Sequence, residues 1–104
     1  MNSTLSGSES PESLWQAMED WRRRIDALDL EILQLLNERA RCACQIGALK
    51  KRLGLPLYTP EREAEVMRNV VQHNPGPLSA EAVRRLYERI IDESRRLERE
   101  SHDG

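Results

Sequence analysis

Between Pro11 and Arg52 the apolar residues Leu14, Met18, Trp21, Ile25, Leu28, Ile32, Leu35, Cys42, Ile46 and Leu49 recur at alternate spacings of four and three. This sustained heptad seam, which continues to Leu53, predicts one long helix. A second row, Leu33, Leu36, Ala40, Ala43 and Gly47, runs beside it, so the middle of the helix is apolar over a wide arc and must be covered from more than one side. Ser10-Pro11-Glu12 supplies the start: a side-chain cap, a proline at the first helical position and an acid at the positive end of the dipole. Leu53-Gly54-Leu55-Pro56 breaks the pattern, and Thr59-Pro60-Glu61 starts a second, shorter helix running to about His73 with a narrow face of Val66, Met67 and Val70. Asn74-Pro75-Gly76-Pro77 ends it. Ser79 caps a third helix carrying Val83, Leu86, Tyr87, Ile90, Ile91, Ser94 and Leu97 on one face, with 102–104 expected to fray. Residues 1–10 are small, polar and aperiodic, and are expected to form a disordered tail ahead of a helical domain at 11–101.

The first helix governs assembly. At 1.5 Å per residue, Pro11 to Arg52 spans roughly 60 Å, whereas a compact domain of this size has a radius of gyration near 13 Å. Two short helices cannot cover that length, so the expected remedy is a second copy of the chain in a symmetric, interlaced homodimer. Composition agrees with an all-α fold: of 104 residues, 38% are hydrophobic and 33% charged, aromatics are 4% and Phe is absent. Sixteen basic against eighteen acidic residues give a net charge of −2, which argues against nucleic acid or an anionic membrane as partner. No apolar run approaches membrane length and the start lacks a signal pattern, so a cytoplasmic protein is expected. Cys42 and Cys44, two apart on a helix, point to different sides and share neither a metal nor a disulfide; they read as buried or semi-buried fillers.

Several polar residues break the apolar pattern. Arg39 occupies a seam position, and a buried arginine demands an anion: a glutamate of a neighbouring helix, or a ligand carboxylate or phosphate. Lys50 is about 20° round the helix from Arg39 and roughly 16 Å further along, so both long side chains can reach one ligand lying between them; alone, it reads as a solvated lysine near a helix C-terminus. Ser94 and Glu98, four apart, extend the buried face of the third helix with a hydroxyl and a carboxyl, although a helix often turns polar towards its end. Arg62 and Glu63 open the second helix, and Arg22-Arg23-Arg24 forms a basic run; each has an ordinary surface reading as well.

Together these residues resemble the all-helical class of chorismate mutase. The matching segments are Trp21-Arg22-Arg23-Arg24-Ile25-Asp26-Ala27-Leu28-Asp29, Leu35-Leu36-Asn37-Glu38-Arg39, Ile46-Gly47-Ala48-Leu49-Lys50, Pro56-Leu57-Tyr58-Thr59-Pro60-Glu61-Arg62-Glu63 and Ile90-Ile91-Asp92-Glu93-Ser94. The similarity covers about residues 14 to 100. It implies three helices per chain, an interlaced dimer with two equivalent sites, and conversion of chorismate to prephenate by a Claisen rearrangement that uses no cofactor and no metal. By the same resemblance, Arg39 binds a substrate carboxylate within its own chain and Arg22 is contributed by the partner chain. The two lie roughly 25 Å apart along one helix, too far to clamp one small ligand together. Lys50 contacts a carboxylate and the ether oxygen, where it stabilises charge as the C–O bond breaks, and is the costliest residue to lose. Glu63 accepts from the ring hydroxyl, Arg62 supports the site and Ser94 contacts a carboxylate. Ile46 and Ile91 wall in the compact reactive conformer.

Two positions depart from the commonest bacterial pattern. Thr59 stands where an aspartate is frequent, and is expected to serve mainly as a helix cap. Glu98 stands where many members carry glutamine, opposite the lysine across the ether oxygen. A carboxylate there would repel the developing charge and a carboxylic acid would donate to it, so activity is expected to fall as pH rises. The alternatives are an isochorismate-pyruvate lyase of the same fold and a non-catalytic helical dimer module, in which Arg39 and Lys50 would pair with protein carboxylates. No separate regulatory domain or long regulatory insertion is expected within this chain, and contact with another enzyme of the shikimate pathway would be sought at the C-terminal residues.

Overall fold

A computed structural model describes residues 9–103, and within them the chain is all-helical: α1 Pro11–Leu53, α2 Pro60–Gln72 and α3 Ala80–Asp103. The polar segment 1–8 of the expected tail lies outside the described residues. Ser10 caps α1 as its sequence predicts: its Oγ accepts from Ser13 N at 3.1 Å, while Ser13 Oγ accepts from Ser10 N at 2.9 Å. Each serine thus satisfies a donor the other leaves free.

The chain divides by packing into two units, the first ending at Asn37 and the second running from Glu38. In the first unit the seam of α1 is open: Trp21 is 70% exposed, Ile25 54%, and Leu14, Ile32 and Leu35 are likewise exposed. Its polar face is laced internally. Arg22 pairs with Glu19 at 2.8 Å and Arg23 with Asp20 at 2.5 Å, one turn back in each case. Hydrogen bonds from Gln16 and then Arg23 hold the Asp20 carboxyl below its ordinary range.

The second unit holds the core, which is small: Ala43, Val83 and Ile91 are buried, with Gly47. Gly47 has a steric reason to lack a side chain. A Cβ there would lie 2.9 Å from the Cα of Glu98 and nearer still to its carbonyl oxygen, so the glycine lets α3 approach the α1 backbone. α1 ends at Gly54, whose φ of +67° closes a double cap: Leu55 N donates to Lys50 O at 2.9 Å and Gly54 N to Lys51 O at 3.2 Å. That reversal brings Leu57 back beside the last turn of α1. Between α2 and α3, Asn74 Oδ1 accepts from Gly76 N and its Nδ2 donates to Leu78 O, and Ser79 Oγ caps α3 by accepting from Ala82 N.

Ser101, His102 and Asp103 are helical, and Gly104 of the expected frayed end lies outside the described residues. Two expectations are corrected. Cys42 is exposed, because its turn of the seam faces an open cavity instead of a packed helix; Cys44 is half-buried, and both are free thiols. Thr59 occupies the N-cap position of α2, yet its side chain makes no capping bond; its carbonyl takes Arg62 N and Glu63 N.

Candidate active site

The second unit encloses a cavity of about 370 Å³ lined by residues of all three helices and the α1–α2 loop. Nine of the ten residues singled out in the sequence stand on its wall: Arg39, Ile46, Lys50, Thr59, Arg62, Glu63, Ile91, Ser94 and Glu98. The tenth, Arg22, belongs to the first unit, where it is exposed and paired with Glu19. Helical spacing explains the gathering. Arg39, Ala43, Ile46 and Lys50 recur at intervals of four, three and four on α1, and Ile91, Ser94 and Glu98 at three and four on α3, so each helix turns one continuous stripe towards the cavity.

Lys50 is the most fully held cation. Its Nζ donates at 2.7 Å to the Leu57 carbonyl and at 2.7 Å to Glu98 Oε1, with only 12% of the lysine side chain and 18% of the glutamate exposed. The loop reversal at Gly54 supplies the first partner and the close approach at Gly47 the second. Sequence reasoning put Lys50 and Glu98 on opposite sides of a ligand atom with Glu98 as donor; here they touch, and Glu98 accepts. Arg39 reaches across from α1 to donate through Nη1 to the Ser94 hydroxyl. Of the pairings the non-catalytic alternative required, Lys50 therefore has a carboxylate partner, whereas this bond of Arg39 is to a neutral hydroxyl. Arg62 pairs with Glu65 at 2.6 Å on the exposed rim.

Glu63 carries a feature the sequence did not announce. Arg95 of α3 grips both its oxygens, Nε to Oε2 at 3.0 Å and Nη2 to Oε1 at 2.6 Å. The hydrogen bonds to Glu63 hold the Arg95 guanidinium above its ordinary value, outweighing the opposing effect of burial. The same guanidinium lies 5.5 Å from the centre of the Tyr58 ring. Ala43, Cys42 and Val66 also line the cavity and were read from sequence as packing residues only.

Chemically, the wall offers three cations, two carboxylates, two hydroxyls and an apolar floor of Ile46, Val66 and Ile91. Such a site suits a small anion with an apolar body. Among the described residues no helix is long and apolar enough to cross a membrane.

Comparison with known proteins agrees. The family model for chorismate mutase type II matches residues 21–99. The bifunctional chorismate mutase/prephenate dehydratase of Neisseria gonorrhoeae is 46% identical over 78 residues, which are 75% of this chain and 21% of that protein. A 4-amino-4-deoxychorismate mutase of Streptomyces pristinaespiralis is 30% identical over 91 residues, 86% of this chain and 70% of that one. A solved structure of chorismate mutase from Thermus thermophilus superposes with a TM-score of 0.73 at 40% identity, covering 75% of this chain and 98% of the other. The chain spans about a fifth to a quarter of the length of the bifunctional relatives it matches.

Proposed function

We propose that this chain, which belongs to the chorismate mutase type II family, rearranges chorismate to prephenate in the cytoplasm, in the biosynthesis of phenylalanine and tyrosine. The observation that carries the reading is the convergence of Arg39, Lys50 and Ser94 on one part-apolar cavity. The substrate is a dianion with an enolpyruvyl ether, and its rearrangement breaks a C–O bond and forms a C–C bond with no net change in protons. A catalyst has to hold two carboxylates, keep the compact conformer and stabilise negative charge growing on the ether oxygen.

In this reading Arg39 takes one carboxylate, with Ser94 beside it, and Lys50 takes the other and the ether oxygen. Binding draws the Lys50 ammonium from Glu98 onto the substrate, and Glu98 stays beside it to hold the Lys50 side chain in place. Glu63 accepts from the ring hydroxyl near Thr59, Arg62 supports the rim, and Ile46 and Ile91 press the two reacting carbons together.

The second carboxylate needs one more cation, and Arg22 of a second chain supplies it. The exposed seam from Leu14 to Leu35 supports an interlaced homodimer, since burying it removes large apolar side chains from water at about 25 cal/mol per Å². The test is incubation with chorismate, with prephenate followed by proton NMR. Wild type is expected to form prephenate, Lys50→Ala to lose about 100- to 1000-fold in kcat, and Arg39→Ala to bind substrate far more weakly. Absence of prephenate, or salicylate and pyruvate from isochorismate in its place, would overturn the reading.

A further inference from the structure

Arg95 does not line the cavity, yet it holds the part of the wall that comes from α2. Its two bonds to Glu63 run from α3 to the first turn of α2, and its guanidinium lies over the Tyr58 ring just before that turn. Tyr58 and Glu63 bracket Thr59 and Arg62, so one side chain fixes both ends of the segment that carries three of the site residues. The turn is otherwise held by the backbone bonds of Arg62 N and Glu63 N to the Thr59 carbonyl. Thr59 makes no side-chain cap, no residue of α2 is fully buried, and Arg62 points to the exposed Glu65. With 31% of Arg95 and 25% of Glu63 exposed, the pair is shielded enough for its two-pronged geometry to be kept.

We infer that Arg95 is a positioning residue for the reaction: by gripping both oxygens of Glu63 and stacking on Tyr58, it aims the Glu63 carboxylate at the substrate. A carboxylate has about four lone-pair sites, so two remain for a substrate hydroxyl after Arg95 has taken its share. The inference rests on the reading of Glu63 as acceptor of the substrate hydroxyl. That contact exists in the bound substrate as much as in the transition state, so its loss raises KM and leaves kcat nearly unchanged. Simple unfolding does the opposite, lowering the active fraction and hence kcat at constant KM.

The experiment measures KM and kcat for chorismate with Arg95→Gln, Arg95→Lys, Glu63→Gln and the Arg95→Gln/Glu63→Gln double variant. Arg95→Gln is expected to raise KM about tenfold. Arg95→Lys, which keeps the charge without the fork, is expected to recover only part of the loss. In the Glu63→Gln background the Arg95 substitution is expected to add nothing further. A wild-type KM in Arg95→Gln or Arg95→Lys overturns the inference, as does a fall in kcat alone, or an Arg95 effect that persists undiminished beside Glu63→Gln. If Glu63→Gln itself leaves KM untouched, the role of Glu63 falls and that of Arg95 with it. If wild type makes no prephenate, the proposed activity itself has failed.

Discussion

Between Pro11 and Asn37 the seam residues Trp21, Ile25 and Ile32 stand exposed, whereas between Glu38 and Leu53 the same helix buries Ala43 and Gly47. The two stretches share a periodicity and differ in what interrupts it. In the first, large apolar residues follow one another without a polar break and stand exposed. In the second, Arg39 and Lys50 intrude, the facing residues are small, and α3 carries Ser94 and Glu98 to meet the intruders. An unbroken seam states that a surface must be covered by protein. A seam broken by cations, facing a cavity, states that something anionic is to be held there.

The comparison breaks first at its apolar half. Leu28→Asp places a carboxylate on the seam, and desolvating it costs enough that the proposed homodimer is expected to weaken by at least about 100-fold in Kd. Sedimentation equilibrium checks this, and an unchanged dimer would mean that the seam is not the interface. At the polar half the corresponding change is smaller. Gly47→Ala forces the Glu98 backbone away from α1, with an expected stability loss of about 1–3 kcal/mol in urea unfolding. An unaltered midpoint would show that the close approach is not what sets the Lys50–Glu98 pair.

The helices were legible because each begins with a serine or threonine followed closely by proline or an acid, and α1 and α2 each stop at a glycine- or proline-bearing turn. Arg39, Lys50, Ser94 and Glu98 could be singled out because each puts a charged or polar group on an otherwise apolar stripe, although each alone also has an ordinary structural reading. What stayed hidden depends on pairing across helices. Nothing in the order of residues says that Arg95 meets Glu63, which is 32 residues away, because a surface arginine on a polar helix reads the same with or without that partner. The Thr59 hydroxyl was misread for a related reason: capping position is set by local sequence, whereas its side-chain bond depends on a rotamer. Cys42 keeps the seam's spacing but fronts a cavity, a difference that only the placement of α3 creates.

In the proposed dimer each site is built from the second unit of one chain and Arg22 of the other. Co-refolding Arg22→Ala with Lys50→Ala tests it most directly, because a mixed dimer holds one site with both residues intact and one with neither. Random pairing makes half the dimers mixed, so activity is expected to return to about a quarter of the wild-type value although each variant alone is nearly inactive. A mixture no more active than the sum of its parts would contradict the account.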